Sequence, residues 1–118
     1  MAENTTYTLT HNKSEGVKFA QGLVVFDATT ITATDYVEID VGFTPTYVKW
    51  VNVTDRIEIE WYNGMTANTC LKRAAAGTGT LETTNGGITV TGRSFRVLQN
   101  ATLAAILASK TCAFIAYQ

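Results

Sequence analysis

The chain has 118 residues and a mass of 12.8 kDa, which suits a single domain with one hydrophobic core. Only 16% of the residues are charged and the net charge is −1, so no positive field attracts a polyanion, and we expect no nucleic-acid partner. The chain has no run of about 18 apolar residues and no signal-peptide pattern at its start, so we expect no membrane span and synthesis in a cytoplasm.

The first 14 residues are predicted to form an arm outside the main domain. They are polar, and Tyr7 and Leu9 are their only apolar anchors, which is too little apolar surface for a core. Tyr7 and Leu9 share one face of an extended chain and are spaced to dock as an added edge strand on a neighbouring protein. The sequence therefore predicts an N-terminal arm at 1–14 and a single β-domain at 15–118.

The next segments alternate between apolar and polar residues, as strands with one buried face do. The predicted strands lie within residues 16–27, 36–43, 46–53 and 56–64. In the first of them Gly22 is predicted to form a bulge or bend. Trp61 is in phase with Ile57 and Ile59, so it is predicted to point inward, and a hairpin connection is expected between the last two strands.

The second half of the chain predicts shorter elements. Strands are expected around residues 69–74, 80–84, 87–92, 94–98 and 111–118. Asn85-Gly86 is a favoured two-residue hairpin signal because both positions tolerate a positive φ. Residues 100–110 are predicted to form one short helix with Asn100 as its N-cap. Together these elements indicate an all-β fold, an antiparallel β-sandwich or jelly-roll-like barrel with one short helix.

The residues that could support catalysis or bind a metal are few. His11 is the only histidine, and it lies in the predicted arm, so a histidine-assisted nucleophile is not indicated. One histidine and two distant cysteines show no zinc-ligand spacing, and we expect neither a metal nor a cofactor. The pairing state of Cys70 and Cys112 is open, although two thiols in a chain without a secretion signal are more often reduced.

Glu58 and Glu60 form a pair of carboxylates about 7 Å apart along one strand face. Such a spacing is compatible with glycoside hydrolysis. The alternative is a solvent-facing stripe with cross-strand partners such as Lys49. We favour the second interpretation and expect a protein that is not an enzyme.

The segment 43–65 contains both tryptophans and two tyrosines. Most of these aromatic residues are predicted to form the wall of the sheet. Tyr62 and Met65, which follow out of phase or in the turn, are the better surface candidates. With Tyr7 and Leu9 of the arm, they are the predicted interface residues.

Three stretches resemble small virion structural proteins of tailed bacteriophages: GFTPTYVKWVNVTDRIEIEWYNGM, LETTNGGITVTGRSF and ASKTCAFIAY. The shared pattern is a proline, a Tyr-Val pair, an Asn-x-Thr, a Glu-Trp and a Gly-Met, followed by a Gly-Ile strand and a late aromatic strand. The resemblance begins at Gly42 and covers about two-thirds of the chain. Within this group, the chain is most similar to capsid decoration or cement proteins.

The resemblance implies a β-sandwich or jelly-roll that binds the outer surface of the phage head and stabilises the shell. The implied partners are the major capsid protein and further copies of the chain, which we expect to form a homotrimer in the virion. The resemblance supplies no active-site residues. The alternative is a carbohydrate- or receptor-binding β-module of a phage tail or fibre, and a small glycoside hydrolase is the third interpretation.

Overall fold

The computed structural model describes residues 7–14, 18–32 and 35–118, and within them every regular element is a β-strand. The ten strands are β1 Tyr7–Ser14, β2 Phe19–Phe26, β3 Tyr36–Asp40, β4 Tyr47–Asn52, β5 Ile57–Tyr62, β6 Cys70–Arg73, β7 Gly79–Glu82, β8 Ile88–Thr91, β9 Ser94–Leu98 and β10 Thr111–Tyr117. They form a seven-stranded antiparallel sheet in the order β1-β2-β10-β4-β5-β6-β7 and a three-stranded antiparallel sheet in the order β3-β9-β8. The predicted all-β antiparallel fold is confirmed, with a sandwich-like arrangement of two sheets.

Three aromatic side chains join the two sheets across the core. Trp50 of β4 stacks on Phe114 of β10, with their ring centroids 6.2 Å apart and an interplanar angle of 9°. Phe95 of β9, in the smaller sheet, packs edge-on against both rings at 6.2 Å and 5.5 Å. Each such pair adds about 0.5–1.5 kcal/mol to the stabilisation that burial alone provides. The interface between the sheets is therefore fixed by ring geometry as well as by apolar area.

The clearest alternations in the sequence are confirmed in the strands that they predicted. Val37 and Ile39 of β3 are fully buried, as is Ile59 of β5. Trp61 is 6% exposed and points inward as expected. β4 and β5 pair as the expected hairpin.

The bulge predicted at Gly22 is wrong. β2 pairs in unbroken register with β1 on one side and with β10 on the other, and Gly22 has a direct partner in each. A bulge inserts an unpaired residue, and here it would disrupt two ladders at once because β2 lies inside the sheet. As a result Leu23 and Val25 point outward and are exposed.

The hairpin predicted at Asn85-Gly86 is also wrong. β7 belongs to the larger sheet and β8 to the smaller one, so this segment crosses between the two sheets. Gly86 does have a positive φ of 89°, and a Cβ there would lie 2.6 Å from the Leu98 side chain. A Cβ on Gly87 would overlap the Thr69 carbonyl. Glycine is therefore required at both positions, because this segment passes close to Leu98 and Thr69.

Residues 100–110 do not form the predicted helix. The Asn100 side chain accepts the N–H groups of Thr102 and Leu103 at 2.8 Å and 3.2 Å, which is the expected capping contact. A single turn follows, closed by the Ala104 N–H on the Asn100 carbonyl at 2.8 Å. Ala104 then adopts φ of 56°, in the left-handed region, and the turn ends.

Tertiary contacts replace the hydrogen bonds that a helix would have made in this segment. The Ala105 carbonyl accepts the Trp50 indole N–H at 2.9 Å, and the Ala104 carbonyl accepts the Asn52 side-chain N–H at 3.1 Å. Leu103 and Ile106 are fully buried. The segment lies over the inner face of the larger sheet and completes the core beside the three-stranded sheet.

The first described residues form an edge strand of the larger sheet. β1 pairs along its whole length with β2 of the same chain, and Tyr7 and Leu9 pack against the core. The Tyr7 and Phe26 rings are 5.7 Å apart. The sequence predicted an edge strand docked on a neighbouring protein, whereas β1 pairs here with β2 of its own chain. Residues 1–6 and the side chain of His11 lie outside the described part. The proposed boundary between an arm at 1–14 and a domain at 15–118 stays a prediction.

Candidate functional site on the outer face of the larger sheet

The outer face is the surface of the seven-stranded sheet that points away from the core. Alternation along the strands directs every second side chain to this surface. Among the described residues, seven large hydrophobic side chains are between 41% and 59% exposed. Six of them lie on strands of this sheet: Leu23, Val25, Tyr62, Leu71, Leu81 and Tyr117. Exposed apolar area is therefore concentrated on one face of the molecule.

Four aromatic side chains cross this face in a line, which we call the aromatic row: Phe19, Tyr117, Tyr47 and Tyr62. They come from the adjacent strands β2, β10, β4 and β5 and are direct partners in the strand register. Successive ring centroids are 5.3, 5.8 and 5.1 Å apart, with interplanar angles of 48°, 34° and 55°. Each ring thus packs against the next, and the row is held in a defined arrangement.

Tyr47 and Phe19 are the two half-buried members of the row, and Tyr47 carries the polar contact. Its hydroxyl donates a hydrogen bond to Glu60 Oε2 at 2.7 Å. Burial raises the pKa of the Tyr47 phenol well above its usual value, and the neighbouring Glu60 carboxylate raises it further. Tyr47 therefore acts as a neutral hydrogen-bond donor that fixes the Glu60 side chain on the outer face.

Four charged side chains lie in the middle of the outer face, and two of them form an ion pair. Lys49 Nζ contacts Glu58 Oε1 at 3.0 Å, as expected for cross-strand partners. Arg73 is the direct register partner of Glu58 on β6. The formal charges of Lys49, Arg73, Glu58 and Glu60 sum to zero. The face therefore carries no net charge, and its exposed apolar side chains lie on both sides of this charged group.

A shallow concavity of about 330 Å³ lies where the outer face passes from β5 to β7. Its lining residues are Glu58, Glu60, Leu71, Lys72, Arg73, Gly79, Thr80 and Leu81. Both carboxylates in this lining have a partner within the chain: Glu58 contacts Lys49, and Glu60 accepts a hydrogen bond from Tyr47. The arrangement offers a polar rim beside an apolar surface, which is suited to a binding contact.

Of the four predicted interface residues, three pack against the core and one lies on the outer face. Tyr62 lies in the aromatic row and is 46% exposed. Met65 lies in the turn after β5, where its N–H donates to the Tyr62 carbonyl at 3.0 Å and its side chain packs against the core. Tyr7 and Leu9 face the core from β1. Only Tyr62 therefore reaches the outer face.

Sequence reasoning missed most of the outer face. Leu71 and Leu81 were not candidates because each lies on a four-residue strand, which is too short to fix a phase. Tyr117 was not a candidate because its strand has apolar residues in both phases. Leu23 lies in the strand predicted within residues 16–27, for which the sequence indicated no inward face. One pattern in the sequence indicates the row: three strands each have a tyrosine as a terminal residue. Tyr47 is the first residue of β4, and Tyr62 and Tyr117 are the last residues of β5 and β10.

Neither cysteine is placed for redox or metal chemistry at this surface. Cys70 and Cys112 are free thiols and fully buried, and burial raises the pKa of each to about 12. Within residues 7–14, 18–32 and 35–118, no three histidine, cysteine or acidic side chains are grouped to hold a metal ion. Over the same ranges, no helix is long and apolar enough to cross a membrane.

No protein-family model, no curated protein and no solved structure matches the chain. The resemblance to phage decoration proteins therefore stays a prediction from the sequence.

Proposed function

We propose that the protein is a structural binding protein of a tailed-bacteriophage virion. In this role it decorates the outer surface of the head, binds the major capsid protein, associates with further copies of itself and stabilises the shell. It is made in the host cytoplasm and joins the virion during assembly. The proposal places no catalytic step on the chain.

The observation that carries this proposal is the concentration of exposed apolar side chains on one neutral face. Large contiguous apolar patches on a soluble protein mark places where a partner binds. Aromatic residues are enriched at the centres of protein interfaces because they bring large area with few rotatable bonds. A decoration protein that associates with further copies of itself uses such a face for that association, and the joined copies then bind a shell through many modest contacts that act together. The phage setting itself rests on the sequence resemblance.

A carbohydrate- or receptor-binding module of a phage tail is the second candidate, and the aromatic row is the observation that favours it. Sugars stack on the exposed faces of aromatic rings. In this row the rings are inclined to each other by 34–55°, so each one partly covers the face of the next. That packing suits a protein contact better than a flat sugar platform, and we rank the decoration function first.

The decoration function is tested by adding the purified protein to phage heads that lack it. We expect it to sediment with the heads and to raise the temperature at which they break. Heads built from an unrelated major capsid protein serve as the control and should bind none. Absence of co-sedimentation at about 10 µM together with an unchanged breakage temperature would contradict the proposal.

The second candidate is separated from the first by immobilised glycans. Binding to a glycan without cleavage, abolished by Tyr62→Ala and retained by Thr91→Ala on the other sheet, would favour the carbohydrate-binding module. Cleavage of a polysaccharide that is lost in Glu58→Gln would instead identify a hydrolase.

A further inference from the structure

We propose that the outer face of the larger sheet binds the same face of a second copy, so that the protein forms a two-fold symmetric dimer. This inference rests on the proposed function, which includes association with further copies. It deepens that function by naming the surface and the partner of the association. It replaces the threefold assembly expected from the sequence with a twofold one.

The first argument is the size of the face. Seven strands spaced by about 4.8 Å span about 29 Å, and a six-residue strand such as β4 is about 20 Å long. The face therefore measures about 600 Å² in projection. Two such faces in contact bury about 1,200 Å², which is where specific protein interfaces begin. One copy of the same face is thus a partner of sufficient size.

The second argument is the charge on the face. A membrane headgroup or a polyanion would require a net positive surface, and the four charged side chains Lys49, Arg73, Glu58 and Glu60 cancel. The Lys49–Glu58 ion pair and the Tyr47–Glu60 hydrogen bond already hold three of these side chains within the chain. An identical face carries the same balanced set of charges, so the contact between two copies adds no net charge.

The third argument is that the aromatic row is arranged before any partner binds. Each ring contacts its neighbour, and the Tyr47 hydroxyl is fixed by Glu60, so few rotamers remain to be frozen on association. Restricting side chains in advance lowers the entropic cost of binding. Apolar side chains on both sides of the charged centre, such as Leu23 on β2 and Leu81 on β7, extend the contact.

The pairing of one surface with its own copy is isologous and closes after two subunits. Two sheets that pack face to face lie about 10 Å apart with their side chains interdigitated, as in a β-sandwich. The dimer would thus place a third apolar layer between the two sandwiches, and the three-stranded sheets would lie on its outside.

The test is sedimentation equilibrium of the isolated full chain with two charge-introducing variants. We expect the wild-type chain to sediment at twice the 12.8 kDa chain mass at tens of micromolar. Leu23→Lys and Leu81→Lys each place an unpaired charge in the contact, and each should weaken the dimer at least tenfold. Both positions are at least 43% exposed in the single chain, so the fold should tolerate the change, as the thermal melt of each variant verifies.

Thr91→Lys is the matched control because it adds the same charge to an exposed strand position of the smaller sheet, and it should leave the dimer unchanged. A wild-type monomer at 200 µM, a threefold mass, or equal affinities for Leu23→Lys and Thr91→Lys would each overturn the face-to-face dimer. Head binding by a strictly monomeric protein would overturn the dimer and leave the decoration function standing. A dimer that binds no heads would support the pairing and contradict the decoration function.

Discussion

Asn52 is a fully buried polar side chain at the end of β4, and replacing it by alanine should lower the free energy of unfolding by about 3 kcal/mol. Its Nδ2 donates to Asp55 Oδ2 at 3.0 Å and to the Ala104 carbonyl at 3.1 Å, while its Oδ1 accepts the Asp55 N–H at 3.1 Å. Each hydrogen bond contributes about 0.5–1.5 kcal/mol, and a buried carbonyl left without its partner adds to the loss. These contacts hold the β4–β5 hairpin and the 99–110 segment together.

The assay is urea unfolding at pH 7, compared between the wild-type chain, Asn52→Ala and Asn52→Asp. The aspartate keeps the acceptor but loses both donors and brings a carboxylate against Asp55 and a carbonyl, so it should be at least as destabilising as alanine. Asn63→Ala, at an exposed turn position, is the control and should change the stability by less than about 0.5 kcal/mol. A loss below about 0.5 kcal/mol in Asn52→Ala would show that the Asn52 contacts do not hold the two segments together.

Three further predictions concern ionisation and backbone strain. The pKa of Cys70 and of Cys112 is raised from 9.0 to about 12 in the folded chain, so the unfolded chain loses these protons first as the pH rises. The free energy of unfolding should therefore fall between about pH 9 and 12. Urea unfolding across this range measures that fall, with Cys→Ala variants as controls. Tyr47→Phe should cost about 0.5–1.5 kcal/mol because it removes the hydrogen bond to Glu60. Between about pH 9 and 11 the variant and the wild-type chain should show the same rise in phenolate absorbance, because the raised pKa keeps the Tyr47 phenol protonated there; a smaller rise in the variant would contradict the raised pKa. Ala104→Gly should raise the free energy of unfolding by about 0.5–1 kcal/mol because glycine adopts the φ of 56° without strain, and a lower melting temperature would refute this.

Local alternation was sufficient where apolar and polar residues alternate without interruption. β3 was predicted at its observed place and β5 with its inward-pointing Trp61, because a period of two follows directly from the pleat of a strand. The Asn100 cap was also correct, since a short side chain meets backbone N–H groups two and three residues on. These features depend on neighbours in the sequence.

The errors share one origin, which is competition from distant partners. The Asn85-Gly86 turn has the expected positive φ at Gly86, but β7 already pairs with β6, and β8 finds its partner in β9. The predicted helix at 100–110 stops after one turn because Trp50 and Asn52 take the carbonyls that a helix would use. Neither competitor is visible in the segment itself.

The same distinction applies to the candidate site. The sequence determined that the chain is β-rich, that Trp61 is core and that Tyr62 is exposed, because each follows from the phase of a single strand. Only the tertiary structure brought Phe19, Tyr117, Tyr47 and Tyr62 into one row, since β10 enters the sheet between β2 and β4, about 60 residues away from β4 in the chain. Strand order depends on the apolar surface that all strands bury together. This total is a property of the whole molecule, so no single segment of the sequence predicts it.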